Sequence, residues 1–276
     1  MSVQDRILPL LESTSRTFLL PILRLPDALR EPVGQAYLCL RAIDEIEDHE
    51  NLGIETKVAL LQEVGAILGK GPHEGAVEEL ERALGAEAAR LPEVTLALPA
   101  LVELGTKVTK PMVWASTAEM ALAMAGWAER GWRIADEDDL DQYTFDVAGR
   151  VGLLLSALWR WFDGTETKND LAIGFGRALQ AVNIIRNRRD DAHRGVDFFP
   201  PGWDESAMFR YARRQLAMAD AYMEYLAVGP VREFCAIPLE LARATLAVIE
   251  NGHEKLSRSE VEAVVSRVLA AGGIKS

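Results

Sequence analysis

The chain has 276 residues, of which 49% are hydrophobic, 26% are charged and only 7% are aromatic. This composition supplies enough apolar surface for a substantial core and excludes a disordered chain, a collagen-like repeat and a disulfide scaffold. The net charge of −12 argues against unaided nucleic-acid binding and against loose adhesion to an anionic membrane.

The N-terminal region and the cysteines indicate the cellular compartment. Asp5 and Arg6 precede the first apolar stretch, which is unlike a signal peptide. No uncharged apolar stretch approaches the ~18 residues that a membrane span needs. Cys39 and Cys235 both lie in apolar surroundings, so we expect two buried thiols in a reducing compartment. We therefore predict a cytoplasmic protein without an integral membrane segment and with at most peripheral membrane contact.

Apolar residues recur at three- and four-residue spacing along almost the whole chain, and strand-like alternation is nowhere sustained. Helices are predicted, in chain order, at Gln35–His49, Thr56–Leu68, Glu74–Arg90, Val94–Thr106, Pro111–Glu129, Asp138–Trp161, Asn169–Arg189, Glu205–Leu226, Val231–Asn251 and Ser259–Ala271. No composition shift or linker divides the chain. The sequence predicts one all-α domain over residues 1–276, a bundle whose inner helices enclose a central cavity.

The end of the first predicted helix is unusually acidic. Asp44 and Asp48 are four residues apart and share one helix face, with Glu47 beside them and with Arg41 and Tyr37 on the preceding turns. Like charges at this spacing destabilise a helix, whereas Mg²⁺ would stabilise the cluster because it prefers carboxylate oxygens. A solvated acidic helix end is an equally good interpretation of this stretch alone.

A second polar stripe ends the helix predicted at Asn169–Arg189. Asn183, Asn187 and Asp191 follow one another at intervals of four, with Gln180 and Arg186 close to the same stripe. Oxygen ligands for a metal and a guanidinium for a phosphate would suit a bound diphosphate. The alternative is a charged helix end in solvent, which leaves the two amides within the apolar segment unexplained.

Two shorter segments carry further signals. Ser15, Arg16 and Phe18 belong to a stretch that could contact phosphate oxygens, although a helix cap is the commoner role of such residues. Gly149 and Gly152 interrupt a predicted helix, which indicates either close helix packing or room for a bulky ligand.

Together these segments resemble the squalene/phytoene synthases, the head-to-head trans-prenyl synthases. The similarity extends from Ser15 to about Arg258, in the family's order and spacing. The similar segments are Thr14–Phe18, the first aspartate-rich motif in Leu40–Asp48, Tyr143 with Val147–Gly152, the helix Leu179–Arg186, and Phe234–Pro238 followed by Ala244–Leu246.

The resemblance implies an isoprenoid synthase fold and a prenyltransferase. The family's reaction ionises an allylic diphosphate, commonly farnesyl diphosphate, and the double bond of a second molecule captures the cation. Squalene-type members then rearrange the product and reduce it with NADPH. Farnesyl or geranylgeranyl diphosphate is thus the implied substrate, about three Mg²⁺ ions are the implied cofactor, and NADPH is the candidate reductant of a second step.

The resemblance also implies roles for individual residues. The metal ligands would be Asp44, Glu47, Asp48, Asn187 and Asp191. The diphosphate would contact Ser15, Arg16, Arg41, Gln180, Asn183 and Arg186. Catalytic roles would fall to Tyr143, Arg41 and Tyr37. The hydrophobic cavity would be lined by Phe18, Val147, Gly149, Phe234 and Cys235.

The second motif departs from the family pattern. Asn187 stands where the family has an aspartate, and Val196 where it usually has an arginine. The resulting set of Asn183, Asn187 and Asp191 also resembles the metal triad of terpene cyclases. A diverged terpene synthase or prenyltransferase acting on one prenyl diphosphate is therefore an alternative. A non-catalytic lipid-binding protein or assembly factor is a second alternative.

Overall fold

The computed structural model describes residues 3–15 and 17–272, and these residues form helices joined by turns and bends, without a β-strand. The helices are α1 (Val3–Thr14), α2 (Leu19–Arg24), α3 (Asp27–Glu47), α4 (Ile54–Gly69), α5 (Ala76–Gly85), α6 (Glu93–Leu96), α7 (Leu98–Leu101), α8 (Thr109–Glu129), α9 (Glu137–Thr144), a π-helical segment (Phe145–Gly149), α10 (Arg150–Asp163), α11 (Asn169–His193), α12 (Glu205–Met223), α13 (Pro230–Glu250) and α14 (Arg258–Gly272). The predicted all-α class is confirmed.

The chain divides into two compact units, Met1–Gly131 and Trp132–Ser276. In the first unit, α3 packs against α1, α4, α6 and α8, and α4 packs along α8. In the second unit, α11 is central and packs against α10, α12, α13 and the π-helical segment. The single domain expected from the sequence stays a prediction.

Buried polar contacts hold α3 in place within the first unit. The fully buried Gln35 amide donates from Nε2 to the carbonyl oxygens of Leu101 and Leu104, at 2.9 and 3.0 Å. Further along α3, the Thr95 hydroxyl donates to the Ala42 carbonyl oxygen at 3.1 Å. These contacts fix the helix whose end carries the acidic cluster.

In the same region, the prediction of a single helix is wrong. Instead of one helix over Val94–Thr106, the chain forms the short helices α6 and α7 followed by a turn. Gly105 in that turn has a φ of +85°, a conformation outside the helical region. Gln35 satisfies carbonyl groups that a continued helix would otherwise have used.

The helix predicted at Asp138–Trp161 is also interrupted. Its middle turn, Phe145–Gly149, is π-helical, between α9 and α10. Insertions of this type widen a helix locally and are frequent at functional sites. The buried Asp146 carboxylate accepts hydrogen bonds from Gln142 and Arg150, both at 3.0 Å, which link the turns on either side.

Glycines in α10 and α11 allow these helices to approach very closely. A Cβ on Gly152 would lie 2.0 Å from the Ala172 carbonyl oxygen of α11, and one on Gly176 would lie 2.1 Å from the Ala148 carbonyl oxygen. Close helix packing is therefore the role of Gly152, the first of the two interpretations open from the sequence.

Two further expectations concern membranes and thiols. Within residues 3–15 and 17–272, no helix combines the length and the apolar character needed to cross a bilayer. Cys39 and Cys235 are both free and buried, as predicted.

Gly152→Ala should lower the free energy of unfolding by about 1–3 kcal/mol, because the added methyl group would overlap the backbone of α11. Gly126→Ala is the matched control, since the space around its Cβ position in α8 is open. That substitution should raise stability by about 0.5–1 kcal/mol. Denaturant unfolding of both variants measures the difference, and equal stabilities would contradict this packing.

Candidate active site

The acidic cluster lies where α3 ends. Asp44 is half-buried, Glu47 is buried, and Asp48 is the exposed C-cap residue, whose backbone N–H donates to the Asp44 carbonyl oxygen at 2.8 Å. Burial, followed by repulsion from Asp48, raises the pKa of Asp44 to about 7. The cluster therefore resists the accumulation of negative charge unless a cation joins it.

Arg41 is the basic residue of this helix face. Burial opposes its charge, but Glu45 and then Asp44 outweigh that effect, so the pKa of the guanidinium is raised. Arg41 forms an ion pair with Glu45, a residue that the sequence analysis did not select. The buried Nε of Arg41 has no hydrogen-bond partner among the described residues. This arginine has donor capacity that the ion pair does not use.

The opening segment of the chain contacts the same face of α3. The rings of Phe18 and Tyr37 lie 5.7 Å apart, and the Tyr37 hydroxyl donates to the Thr14 carbonyl oxygen at 3.2 Å. Burial raises the pKa of Tyr37, and the nearby Ser15 hydroxyl partly offsets the rise. The structure thus brings together Ser15, Phe18, Tyr37, Arg41 and Asp44, while Arg16 lies outside the described residues.

Ser15 also has a local structural role. Its Oγ accepts a hydrogen bond from the Phe18 backbone N–H at 2.9 Å, in the turn before α2. Ser15 is 4% exposed, so the turn is ordered around a buried polar residue. The Ser15 hydroxyl thus orders the turn that leads into α2, whose N-cap residue is Phe18.

A lysine that the sequence pattern does not reveal lies beside the acidic cluster. Lys57 of α4 is buried, and its Nζ donates to the Glu47 carbonyl oxygen at 2.5 Å. A cation at a helix C-terminus stabilises the carbonyl groups that have no partner within the helix. Lys57 thereby fixes the end of α3, although its sequence position gives no sign of this contact.

The second polar stripe lies on α11. Gln180, Asn183 and Asn187 are half-buried, and Asp191 is 6% exposed. The carboxylate of Asp191 accepts a hydrogen bond from the Arg194 guanidinium at 2.6 Å, and the two groups form an ion pair. The C-terminal end of this stripe therefore combines a buried carboxylate with an arginine that sequence reasoning did not select.

The other arginines of α11 make different contacts. Arg186 is exposed, and its Nε donates to the Asn187 Oδ1 at 3.1 Å. The Arg188 guanidinium lies 3.7 Å from the centre of the Phe199 ring and forms an ion pair with Asp197. The stacking orders the chain that follows α11.

Tyr143 is buried near the end of α9, two residues before the π-helical segment begins. Its ring stacks on Phe198, with centroids 4.5 Å apart and an interplanar angle of 18°. In the π-helical segment, Val147 is half-buried, and a Cβ on Gly149 would lie 2.9 Å from the Phe145 ring. The tyrosine is therefore held rigidly beside a locally widened helix.

Phe234 and Cys235 belong to the interior of the second unit. Phe234 packs edge-on against Trp159, with ring centroids 5.6 Å apart, and Cys235 is 1% exposed. Burial raises the pKa of the Cys235 thiol, which keeps it protonated and unreactive.

The side-chain donors on α3 and α11 indicate which metal ion would fit them. In the part of the chain that the structure describes, no three His, Cys, Asp or Glu side chains converge into a metal-binding group by themselves. The available donors on α3 and α11 are carboxylate and amide oxygens, which suit Mg²⁺ better than Zn²⁺. Because Mg²⁺ keeps water and phosphate oxygens as ligands, an incomplete set of protein donors fits it.

Comparison with known proteins identifies the family. The model of the squalene/phytoene synthase family matches residues 11–203, most of the chain. The chain therefore belongs to the squalene/phytoene synthase family, which confirms the resemblance seen in the sequence.

Individual relatives agree with this assignment. A squalene synthase from Schizosaccharomyces pombe is 29% identical over 278 residues, covering 88% of this chain and 59% of the relative. The chain thus spans about three fifths of the length of this relative. A solved ligand complex of TcSQS has a TM-score of 0.78 at 24% identity, over 96% of this chain and 86% of that chain. A dehydrosqualene synthase has a TM-score of 0.67 at 18% identity, over 98% of this chain and 96% of its own. These two structures confirm the isoprenoid synthase fold.

Asp44→Asn should stabilise the metal-free protein at alkaline pH. The folded-state pKa of Asp44 lies above its unfolded value. The stability that the protonated Asp44 carboxyl contributes is therefore complete below the unfolded pKa and is lost as pH rises through about 7. The variant avoids that loss, so in EDTA its Tm should exceed the wild-type Tm by about 2–4 °C at pH 8.5. The difference should shrink at pH 5 and vanish below pH 4. A difference that is independent of pH would contradict the raised pKa.

Proposed function

We propose that this protein is a Mg²⁺-dependent prenyltransferase that joins two molecules of farnesyl diphosphate head to head. The product would be presqualene diphosphate or its squalene-type derivative. The observation that carries the proposal is the half-buried carboxylate cluster at the end of α3, with Asp44 charged only at a cost, within a chain of this family. Such a cluster favours binding of a divalent cation, which removes the repulsion.

Two groups of residues would hold the metal and the diphosphate. Mg²⁺ would be bound by Asp44, Glu47, Asp48, Asn187 and Asp191, and when bound it neutralises charge on the departing diphosphate. The diphosphate oxygens would also accept hydrogen bonds from Ser15, Arg16, Arg41, Gln180, Asn183 and Arg186. The unpartnered Nε of Arg41 supports this assignment, because a diphosphate would supply the missing acceptor.

The first step would break the allylic C–O bond of one substrate. Pyrophosphate leaves with the bonding electrons, and the resulting cation is attacked by the double bond of the second substrate. Loss of one proton then closes the cyclopropane ring. Tyr143 is the candidate for handling that proton, and the stacking of its ring on Phe198 supports this role because it holds the phenol in one orientation.

The rest of the site would protect the cation from water. Phe18, Tyr37 and Phe234 offer aromatic faces that stabilise positive charge, while Val147, Gly149 and Cys235 contribute apolar surface. The contact between Phe18 and Tyr37 supports this role for the opening segment. An apolar product such as squalene would leave through transient contact with a membrane. If squalene is formed, NADPH would be the reductant.

A second candidate function is cyclisation or ionisation of a single prenyl diphosphate. The specific observation that favours it is the neutral Asn187 within the stripe Asn183, Asn187 and Asp191. Two amides and one carboxylate carry less negative charge than the pattern of the family, and they suit a site that binds one diphosphate.

Incubation with farnesyl or geranylgeranyl diphosphate, Mg²⁺ and optional NADPH should separate these functions. Products with twice the carbon number of the substrate are expected, because condensation retains both prenyl chains. Hydrocarbons or alcohols of unchanged carbon number would instead support the single-substrate enzyme. No turnover, together with no thermal shift on adding Mg²⁺ and prenyl diphosphate, would favour a non-catalytic protein.

Asp48→Asn and Asp191→Asn should each lower kcat/KM by roughly 100-fold or more, because each removes a charged metal ligand. Asp27→Asn and Asp170→Asn are the matched controls, since they alter the first turns of the same two helices, far along the chain from the clusters. The controls should stay within about twofold, with a stability loss of about 0.3–1 kcal/mol from the helix dipole. Full activity of either cluster variant would remove that carboxylate from the site.

A further inference from the structure

The aromatic ring that stacks on Tyr143 comes from the segment that follows α11. The centroids of the Tyr143 and Phe198 rings lie 4.5 Å apart at an interplanar angle of 18°, and both residues are buried. By comparison, the rings of Phe175 and Tyr222 in the same unit lie 5.4 Å apart and are tilted by 55°. The stack on Tyr143 is thus close and nearly parallel, and it covers one face of the phenol.

This contact restricts the two rotatable bonds of the Tyr143 side chain. Rotation about χ1 would move the hydroxyl oxygen, whereas rotation about χ2 would turn the direction of the O–H bond, which lies in the plane of the ring. A ring stacked flat on another ring loses contact area in either rotation. Phe198 therefore helps to set both the position of the Tyr143 hydroxyl and the direction in which it donates.

Phe198 is itself held in place by contacts of its neighbours. The Asp197 carboxylate accepts a hydrogen bond from the Phe199 backbone N–H at 3.0 Å and forms an ion pair with the Arg188 guanidinium at 3.0 Å. The same guanidinium lies 3.7 Å from the centre of the Phe199 ring. Arg188 of α11 thus contacts the residues on both sides of Phe198.

The segment is also fixed where it leaves α11. The Gly195 backbone N–H donates to the Ala192 carbonyl oxygen at 3.1 Å, and the Val196 N–H donates to the Asp191 carbonyl oxygen at 3.0 Å. With a φ of +79° at Gly195, this is a Schellman motif, which reverses the chain at the helix end. The turn after the polar stripe therefore leads directly to the ring that stacks on Tyr143.

We propose that Phe198 is a positioning residue for Tyr143. The inference rests on the proposed function, in which a proton is lost as the cyclopropane ring closes. In that step the electrons of the C–H bond form the last ring bond, and the proton passes by way of the phenol oxygen to the released pyrophosphate. Phe198 acts on this transfer through Tyr143, by holding the phenol in the orientation that the transfer needs.

A double-mutant cycle of Phe198→Leu and Tyr143→Phe tests this role, with the rate of product formation from farnesyl diphosphate and Mg²⁺ as the readout. Phe198→Leu should lower kcat by roughly 10–100-fold without raising KM, because a small misplacement of a catalytic group is costly while substrate contacts are kept. Phe198→Tyr retains a flat ring and should restore most of the rate. Tyr143→Phe keeps its ring but lacks the hydroxyl, so adding Phe198→Leu to it should cause no further loss of kcat.

Phe199→Leu is the matched control. Phe199 is 5% exposed and Phe198 is 6% exposed, and both belong to the same segment, but the Phe199 ring contacts Arg188. Each substitution removes a buried ring and should lower the Tm by about 2–4 °C. Only Phe198→Leu should lower kcat strongly. Equal kcat values for the two variants, or the same loss from Phe198→Leu with and without the Tyr143 hydroxyl, would overturn the inference in favour of packing alone.

The unaltered protein separates this inference from the proposed function. If it forms head-to-head products and Phe198→Leu keeps the same kcat, only the inference is overturned. If it forms no product that retains both prenyl chains, the proposed function fails and the role of Phe198 fails with it.

Discussion

The cost of ionising Asp44 at the end of α3 is the constraint that makes a bound cation favourable there. Burial of Asp44 and, after it, repulsion from Asp48 one turn away raise the pKa of Asp44 to about 7. This arrangement does not stabilise the folded protein by itself, and a leucine or glutamine at either position would cost less free energy of folding. The cluster becomes favourable when a divalent cation is bound, which is why we connect it with diphosphate chemistry.

The packing around the cluster explains how such a site is kept rigid. Gln35 and Thr95 hold α3 through buried hydrogen bonds, and Lys57 fixes its C-terminal carbonyl group. In the second unit, Gly152 and Gly176 allow backbone-to-backbone contact around α11, which supports the helix that carries the polar stripe. Each unit thus positions its polar side chains with close contacts that tolerate little change.

Helical periodicity was sufficient to predict the fold class and most helices, since apolar spacing of three and four is a local signal. It failed at Val94–Thr106 and at Phe145–Gly149, where contacts with Gln35 and with α11 override local preference. Residue spacing likewise identified the carboxylate cluster and the amide stripe. The contacts of Glu45, Lys57 and Arg194 depend on side-chain direction, so only the structure reveals them.

Metal binding by these residues is tested most directly by a crystal structure with Mn²⁺ and the unreactive analogue farnesyl thiodiphosphate, with the metal located by anomalous scattering. We expect metal ions coordinated by Asp44 and Asp48 of α3 and by Asn187 and Asp191 of α11 in one complex with the diphosphate. Metal bound to neither helix, or a diphosphate bound away from both sets of residues, would contradict it.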